Sequence, residues 1–195
     1  GAGICGSRDL GVSLGAELAS HARHMWHKAS HGRRAGIGIG CATALILLSL
    51  LFVPLNGQPR ADWVQFFGRF HPLLVHLPIG LIVLLPVLDI LGMRRPALRE
   101  AAGLVLQFAL ATVLIAIVFG VLLAYGSGES GTTVTRHLRG GVLLALELLL
   151  CVAARRTLLD GNRSRAYHAL LGVVLLTLTW TAHQGGSLTY GSGYL

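Results

Sequence analysis

Five stretches of this chain stay apolar for about as long as a helix needs to cross a hydrocarbon layer of ~30 Å, which takes ~20 residues at ~1.5 Å each. They lie near Gly36–Leu55, Leu73–Gly92, Ala101–Tyr125, Leu138–Ala154 and Tyr167–His183. Blocks of that length have no use in a soluble core, and the composition agrees: 53 % of the residues are apolar and 12 % charged, which excludes an ordinary soluble domain. Leu, Ala, Val and Ile dominate without alternating with polar residues, so the blocks are helices rather than barrel strands. The expected fold is therefore all-α, an integral membrane helical bundle of about five transmembrane helices. The fourth and fifth blocks are short, so their ends are expected to snorkel or to thin the bilayer. The blocks read as five distinct spans without an internal repeat.

The formal charge of +8 does not mark a nucleic-acid binder, because the basic residues cluster between the apolar blocks, where they set topology. With the N-terminus inside, Arg8, Arg23, Lys28, Arg33, Arg34, Arg94, Arg95, Arg99, Arg155, Arg156, Arg163 and Arg165 are cytoplasmic. Arg60, Arg69, Arg136 and Arg139 are outside, so twelve of the 16 basic residues fall inside. The expected topology is N-in and C-out. Residues 1–35 read as a cytoplasmic amphipathic and basic segment, with Leu10, Leu14, Leu18 and Met25 at helical spacing. Residues 36–55 form the first span and 66–195 a four-helix membrane domain with an extracytoplasmic tail. Trp63, Phe66 and Phe67 in the stretch 56–70 suit an outer interfacial segment. Residues 126–136 read as a flexible loop, and the tail with Gly185, Gly186, Gly191 and Gly193 as a folded-back turn too rich in glycine for a helix. Cys5, Cys41 and Cys151 lack metal, haem-attachment or disulfide spacing and are expected as free thiols.

The nine histidines divide by topology. His21, His24, His27 and His31 precede the first span and read as a solvated interfacial face rather than a metal site, since no carboxylate or Cys joins them. His168 belongs to the inner end, as a snorkelling residue. His71 and His76 open the second span, His137 opens the fourth and His183 closes the fifth, so four imidazoles from three helices share the outer leaflet. Near hydrocarbon such rings pair, face a cavity, bind a metal centre, or sit at the headgroup boundary bonded to water. A haem iron takes one or two axial imidazoles from facing helices; bare zinc or copper takes three His, here His76, His137 and His183. His76 is five residues beyond His71, about 140° around the helix. It is the preferred ligand, with His137 or His183 opposite, while His71 orients a loop, a propionate or a partner. Arg136 and Arg139 flank His137 and suit haem propionates.

Inside the spans, Glu147 is a candidate proton carrier or an inter-helix hydrogen-bond partner, with Gln107 as one candidate partner, and Asp89 is expected to make a structural bond. Pro78 and Pro86 are expected to kink the second span, and Gly140 and Gly141 to let the fourth approach a neighbour closely.

The run Phe70-His71-Pro72-Leu73-Leu74-Val75-His76-Leu77-Pro78-Ile79-Gly80 resembles the opening signature of a bacterial family of predicted inner-membrane proteins of unknown function. The run His183-Gln184-Gly185-Gly186-Ser187-Leu188-Thr189-Tyr190-Gly191 is similar to that family's closing motif, and His137 fits a further family histidine at the start of a span. The resemblance covers about residues 66–195. It implies a setting beside c-type cytochrome domains of the planctomycete type, and so a haem-bearing or cytochrome-docking membrane module. The chain departs from it by an additional N-terminal helix and span.

Two functions follow as expectations. In the first, the chain is an electron-transfer subunit of the bacterial inner membrane that binds b-type haem near the extracytoplasmic face and works with a c-type cytochrome. In the second it is a cofactor-free anchor or assembly subunit of a larger respiratory or photosynthetic complex, in contact with other membrane subunits. A transporter ranks third, for want of repeat symmetry or paired broken helices.

Overall fold

The computed structural model describes residues 36–52, 55, 61–128, 130–160 and 164–191. The amphipathic segment 1–35, with its four histidines and Cys5, lies outside the described residues. Contacts divide the chain into two units, Gly1–Thr43 and Ala44–Leu195. The first is described only from residue 36, where helix α1 (Gly36–Leu50) begins.

In the second unit, α1 ends with Leu47 buried in the core. Then follow α2 (Asp62–Gly68), α3 (His71–Leu74), α4 (His76–Gly92), α5 (Pro96–Ser127), α6 (Thr132–Asp160) and α7 (Ser164–Tyr190). No strand occurs among the described residues. Helices α2 to α4 form a nearly continuous rod, Asp62–Gly92, and this rod, α5, α6 and α7 are the four described helices long and apolar enough to cross a membrane. At ~1.5 Å per residue α1 covers only about 22 Å, so the described residues hold four such spans against the five expected. Residues 53–54, near the end of the expected first span, are not described.

The outside of the bundle is its greasy side. Leu73, Leu77, Leu84 and Leu91 of the first rod, Leu104 and Phe108 of α5, Leu143 and Leu150 of α6, and Leu176 and Trp180 of α7 are all exposed. Water would not tolerate that surface; lipid does, and the chain is a multi-pass membrane protein in contact with the bilayer. Trp63, Phe66 and Phe67 on α2 and Phe70 just beyond it are exposed, with Phe66 edge-to-face on Phe67 and Phe70 at 5.4 and 5.5 Å, the chemistry of an aromatic belt.

The expected short spans are not short. Helix α6 extends to residue 160, and α7 continues past His183 to Tyr190, so neither needs a thinned bilayer. The tail expected as a folded turn is helical through Gly185 and Gly186, because packing at Gly185 outweighs the ~1 kcal/mol per glycine that helix propensity costs. The connection expected over residues 126–136 shrinks accordingly: α5 ends on Gly128 with a left-handed φ of 71°, and α6 starts at Thr132. The break between α3 and α4 at Val75 has a covalent cause, since Pro78 has no N–H to give to the carbonyl of Leu74.

The structure also overturns the expectation of no internal repeat. The hairpin α4–α5 and the hairpin α6–α7 run in the same sense and bury equivalent positions. On α5, Ala102, Leu106, Ala109, Val113 and Ala116 are buried; 65 residues on, so are Tyr167, Leu171, Val174, Leu178 and Thr181. On α4, Pro78, Ile82, Leu85 and Asp89 are buried; 66 residues on, so are Leu144, Leu148, Cys151 and Arg155. The sequence carries a trace of this, because residues 119–128 and 184–193 share Gly120/Gly185, Leu123/Leu188 and the run Tyr-Gly-Ser-Gly at 125–128 and 190–193. The repeat is parallel rather than inverted. The break at Val75 has no counterpart in the continuous α6, so the paired broken helices of transporters are absent among the described residues.

Candidate functional site

Equivalent positions of the two hairpins meet at both ends of the bundle, as residues do where a two-fold relation brings a surface onto its own copy. At one end His71 touches His137; at the other Asp89 touches Arg155.

At the histidine end, the rings of His71 and His137 stand edge to face, 5.9 Å between centroids and 76° between planes. Each is braced in the same way. His71 Nδ1 lies 2.9 Å from the carbonyl oxygen of Ala116 on α5, and His137 Nδ1 lies 2.9 Å from that of Thr181 on α7. A carbonyl only accepts, so each Nδ1 carries the proton and donates it, and each Nε2 keeps its lone pair. A carbonyl brace on one ring nitrogen is how proteins orient the other toward a metal. Four residues beyond each carbonyl is a glycine that seats the ring. A Cβ built at Gly120 would stand 2.9 Å from His71 Cε1, and one at Gly185 would stand 2.9 Å from His137 Cε1. The imidazole occupies the place a side chain would take.

The other expected site residues are nearby but outside this pair. His76 is exposed and its Nδ1 donates to the carbonyl of Pro72 on its own rod, 2.7 Å away. His183, Arg136 and Arg139 are exposed at the same end. The trio His76, His137 and His183 expected for bare zinc or copper does not assemble: among the described residues no three His, Cys, Asp or Glu side chains are grouped to hold a metal ion. The reason is angular: His71 enters the bundle and its ring meets that of His137, whereas His76, about 140° further round, turns outward.

At the opposite end the polar groups bind one another. Arg155 holds Asp89 through both carboxylate oxygens, at 2.8 and 3.3 Å, and also donates to the Tyr167 hydroxyl at 2.6 Å and the carbonyl of Arg99 at 2.8 Å. All three side chains are buried. The structural bond expected of Asp89 is present. Its partner Arg155 had been read as a loop cation, because the fourth apolar block appeared to end at Ala154.

Between the two ends Glu147 accepts a hydrogen bond from Thr177 across the α6–α7 seam at 2.9 Å, and Gln107 is exposed rather than its partner. Gly140 makes the close approach expected of it, since a Cβ there would collide with Thr181 and Trp180, whereas one at Gly141 would meet only Ile117 at an ordinary 3.6 Å. Cys151 is a buried free thiol and Cys41 an exposed one. The glycine seats, the Arg155 cluster and the repeat escaped the sequence reading. The paired Tyr-Gly-Ser-Gly runs, 65 residues apart and each preceded by a glycine five residues upstream, were the available signal.

No curated protein and no solved structure matches the chain. Residues 69–194, which include both hairpins and the histidine pair, match the family described as "Predicted membrane protein (DUF2231)", and the chain belongs to that family.

Proposed function

We propose that this protein is an electron-transfer subunit of the bacterial inner membrane that holds a b-type haem at its histidine end, with His71 and His137 as the iron ligands, and exchanges electrons with an extracytoplasmic c-type cytochrome. The observation that carries the reading is the matched bracing of two touching imidazoles through Nδ1, which leaves a lone pair on each Nε2. Arg136 and Arg139, exposed and close in sequence to His137, are the cations available to propionates. When bound, the haem supplies one-electron redox chemistry; the chain supplies ligand orientation and burial. The histidine end is assigned to the outside because the connections at the other end carry Arg94, Arg95, Arg156, Arg163 and Arg165. His76 and His183 then lie at the surface a cytochrome would meet.

The test is the visible spectrum and iron content of the protein purified from membranes. A Soret band is expected, retained in His76→Ala and lost in His71→Ala and His137→Ala. A folded protein with neither Soret band nor iron would leave only a cofactor-free anchor.

A further inference from the structure

The second hairpin carries polar groups that the first, built on the same plan, does without. Glu147 occupies the position of Leu81, and Thr181 that of Ala116. Thr177 corresponds to Thr112, whose hydroxyl is spent on the carbonyls of Phe108 and Ala109 of its own helix; that of Thr177 instead crosses to Glu147. The fold therefore does not require this chemistry. Nor is it fully satisfied: Glu147 Oε2 and Thr181 Oγ1 are buried and have no hydrogen-bond partner among the described residues, with Thr181 only 7 % exposed. Buried polar atoms left so in a native protein mark a place for water, an ion or a proton. Thr177 and Thr181 are one helical turn apart, roughly 6 Å, which one water spans with two hydrogen bonds of about 2.8 Å.

We propose that Glu147 is an exchangeable proton site within the membrane, connected to the histidine end by the hydroxyls of Thr177 and Thr181 and bound water. With the Glu147–Thr177 hydrogen bond reversed, the carboxyl O–H of Glu147 passes its proton to Thr177 Oγ1 while that hydroxyl gives its own to the bridging water, leaving a carboxylate. The water passes a proton to Thr181 Oγ1, and the Thr181 hydroxyl gives its own to a water at the histidine end; the reverse sequence reloads the site. The other titratable or charged groups along the seam are Cys151, one turn further along α6, and then Arg155 with Asp89 and Tyr167, all engaged with one another. The path therefore leads away from that closed cluster and toward His137, whose Nδ1 is bonded to the carbonyl of Thr181. The inference stands whether or not the histidines hold iron.

Infrared difference spectra of the full chain in phosphatidylcholine vesicles, recorded after a pH step in H2O and D2O, test it. A protonated-carboxyl band that shifts in D2O is expected, and Glu147→Gln should abolish it. Thr181→Ala installs the side chain that the first hairpin carries at Ala116, so folding is preserved. It should slow hydrogen–deuterium exchange of that band on the order of tenfold, the effect of losing one hydrogen-bonded step, while Thr181→Ser restores the rate. An exchangeable band that survives in Glu147→Gln, no such band in the parent protein, or unchanged exchange in Thr181→Ala would each overturn the proposal.

Discussion

The two ends of the bundle use the same device for different purposes. At each, a residue of one hairpin meets its equivalent in the other, yet Asp89 and Arg155 engage both carboxylate oxygens and both terminal guanidinium nitrogens with each other, with Tyr167 and with the Arg99 carbonyl, while each of His71 and His137 engages one ring nitrogen, Nδ1, with a helix carbonyl. A charge-neutral cluster whose members bind one another fixes the register of the two hairpins. A neutral ring pair, each braced from behind through Nδ1, has a second nitrogen to offer. Position alone does not distinguish clamp from site; whether the groups answer each other's charge and donors does.

The comparison breaks most sharply at the clamp. Arg155→Met leaves the Asp89 carboxylate buried without a partner, and removal of one member of a buried ion pair costs about 3–5 kcal/mol. Circular dichroism during titration with dodecyl sulfate should show that loss. The double variant Asp89→Leu with Arg155→Met should recover most of it, since apolar replacement of both members is often close to neutral. A single variant as stable as the parent would mean that the hairpins are registered by apolar packing alone.

How much of this was readable beforehand differs between the two ends. Apolar block length gave the all-helical membrane fold, and the shared end of His71 and His137 followed from counting spans. The clamp was hidden because Arg155 adjoins Arg156 and looks like a loop signal; hydropathy cannot tell a cation that ends a helix from one buried within it. The seats at Gly120 and Gly185 were hidden for another reason. Glycine in a polar-ended helix reads as a breaker, and only the approach of a ring from a neighbouring helix shows that the missing Cβ is the point. The choice between His71 and His76 was hidden for a third reason: spacing separates the two rings by about 140° but does not tell which of them faces the bundle.

The seats sharpen the comparison between hairpins. Gly120→Ala and Gly185→Ala each place a methyl 2.9 Å from an imidazole carbon, and overpacking of this kind costs about 1–3 kcal/mol. The two losses should be similar in the same titration, and each variant should weaken the Soret band by shifting a ring off its carbonyl. Unequal losses would show that the bracing is equivalent in form but not in strength.

A smaller effect is expected at the one carboxylate the first hairpin lacks. Glu147→Leu installs the residue found at the equivalent Leu81, removes an unpartnered buried oxygen and frees Thr177 to bond its own helix as Thr112 does. Replacing a buried polar group by an apolar one of similar shape is nearly neutral or stabilising when its partner finds another acceptor, so stability should change by less than about 1 kcal/mol. A larger loss would make Glu147 part of the clamp.

The smallest effect belongs to His76. Its ring is exposed and, among the described residues, is bonded to a carbonyl one turn back on its own rod, so little packing is lost in His76→Ala. A surface change of that kind falls within about 0.5 kcal/mol, and both the Soret band and the His71–His137 geometry should be untouched. What His76 retains is its place at the histidine end, outside the pair. If His76→Ala leaves haem content intact but slows electron exchange with an added c-type cytochrome, His76 belongs to the docking surface. If it removes the haem while His71→Ala does not, the bracing seen at His71 is structural and the ligand assignment has to be exchanged between the two residues.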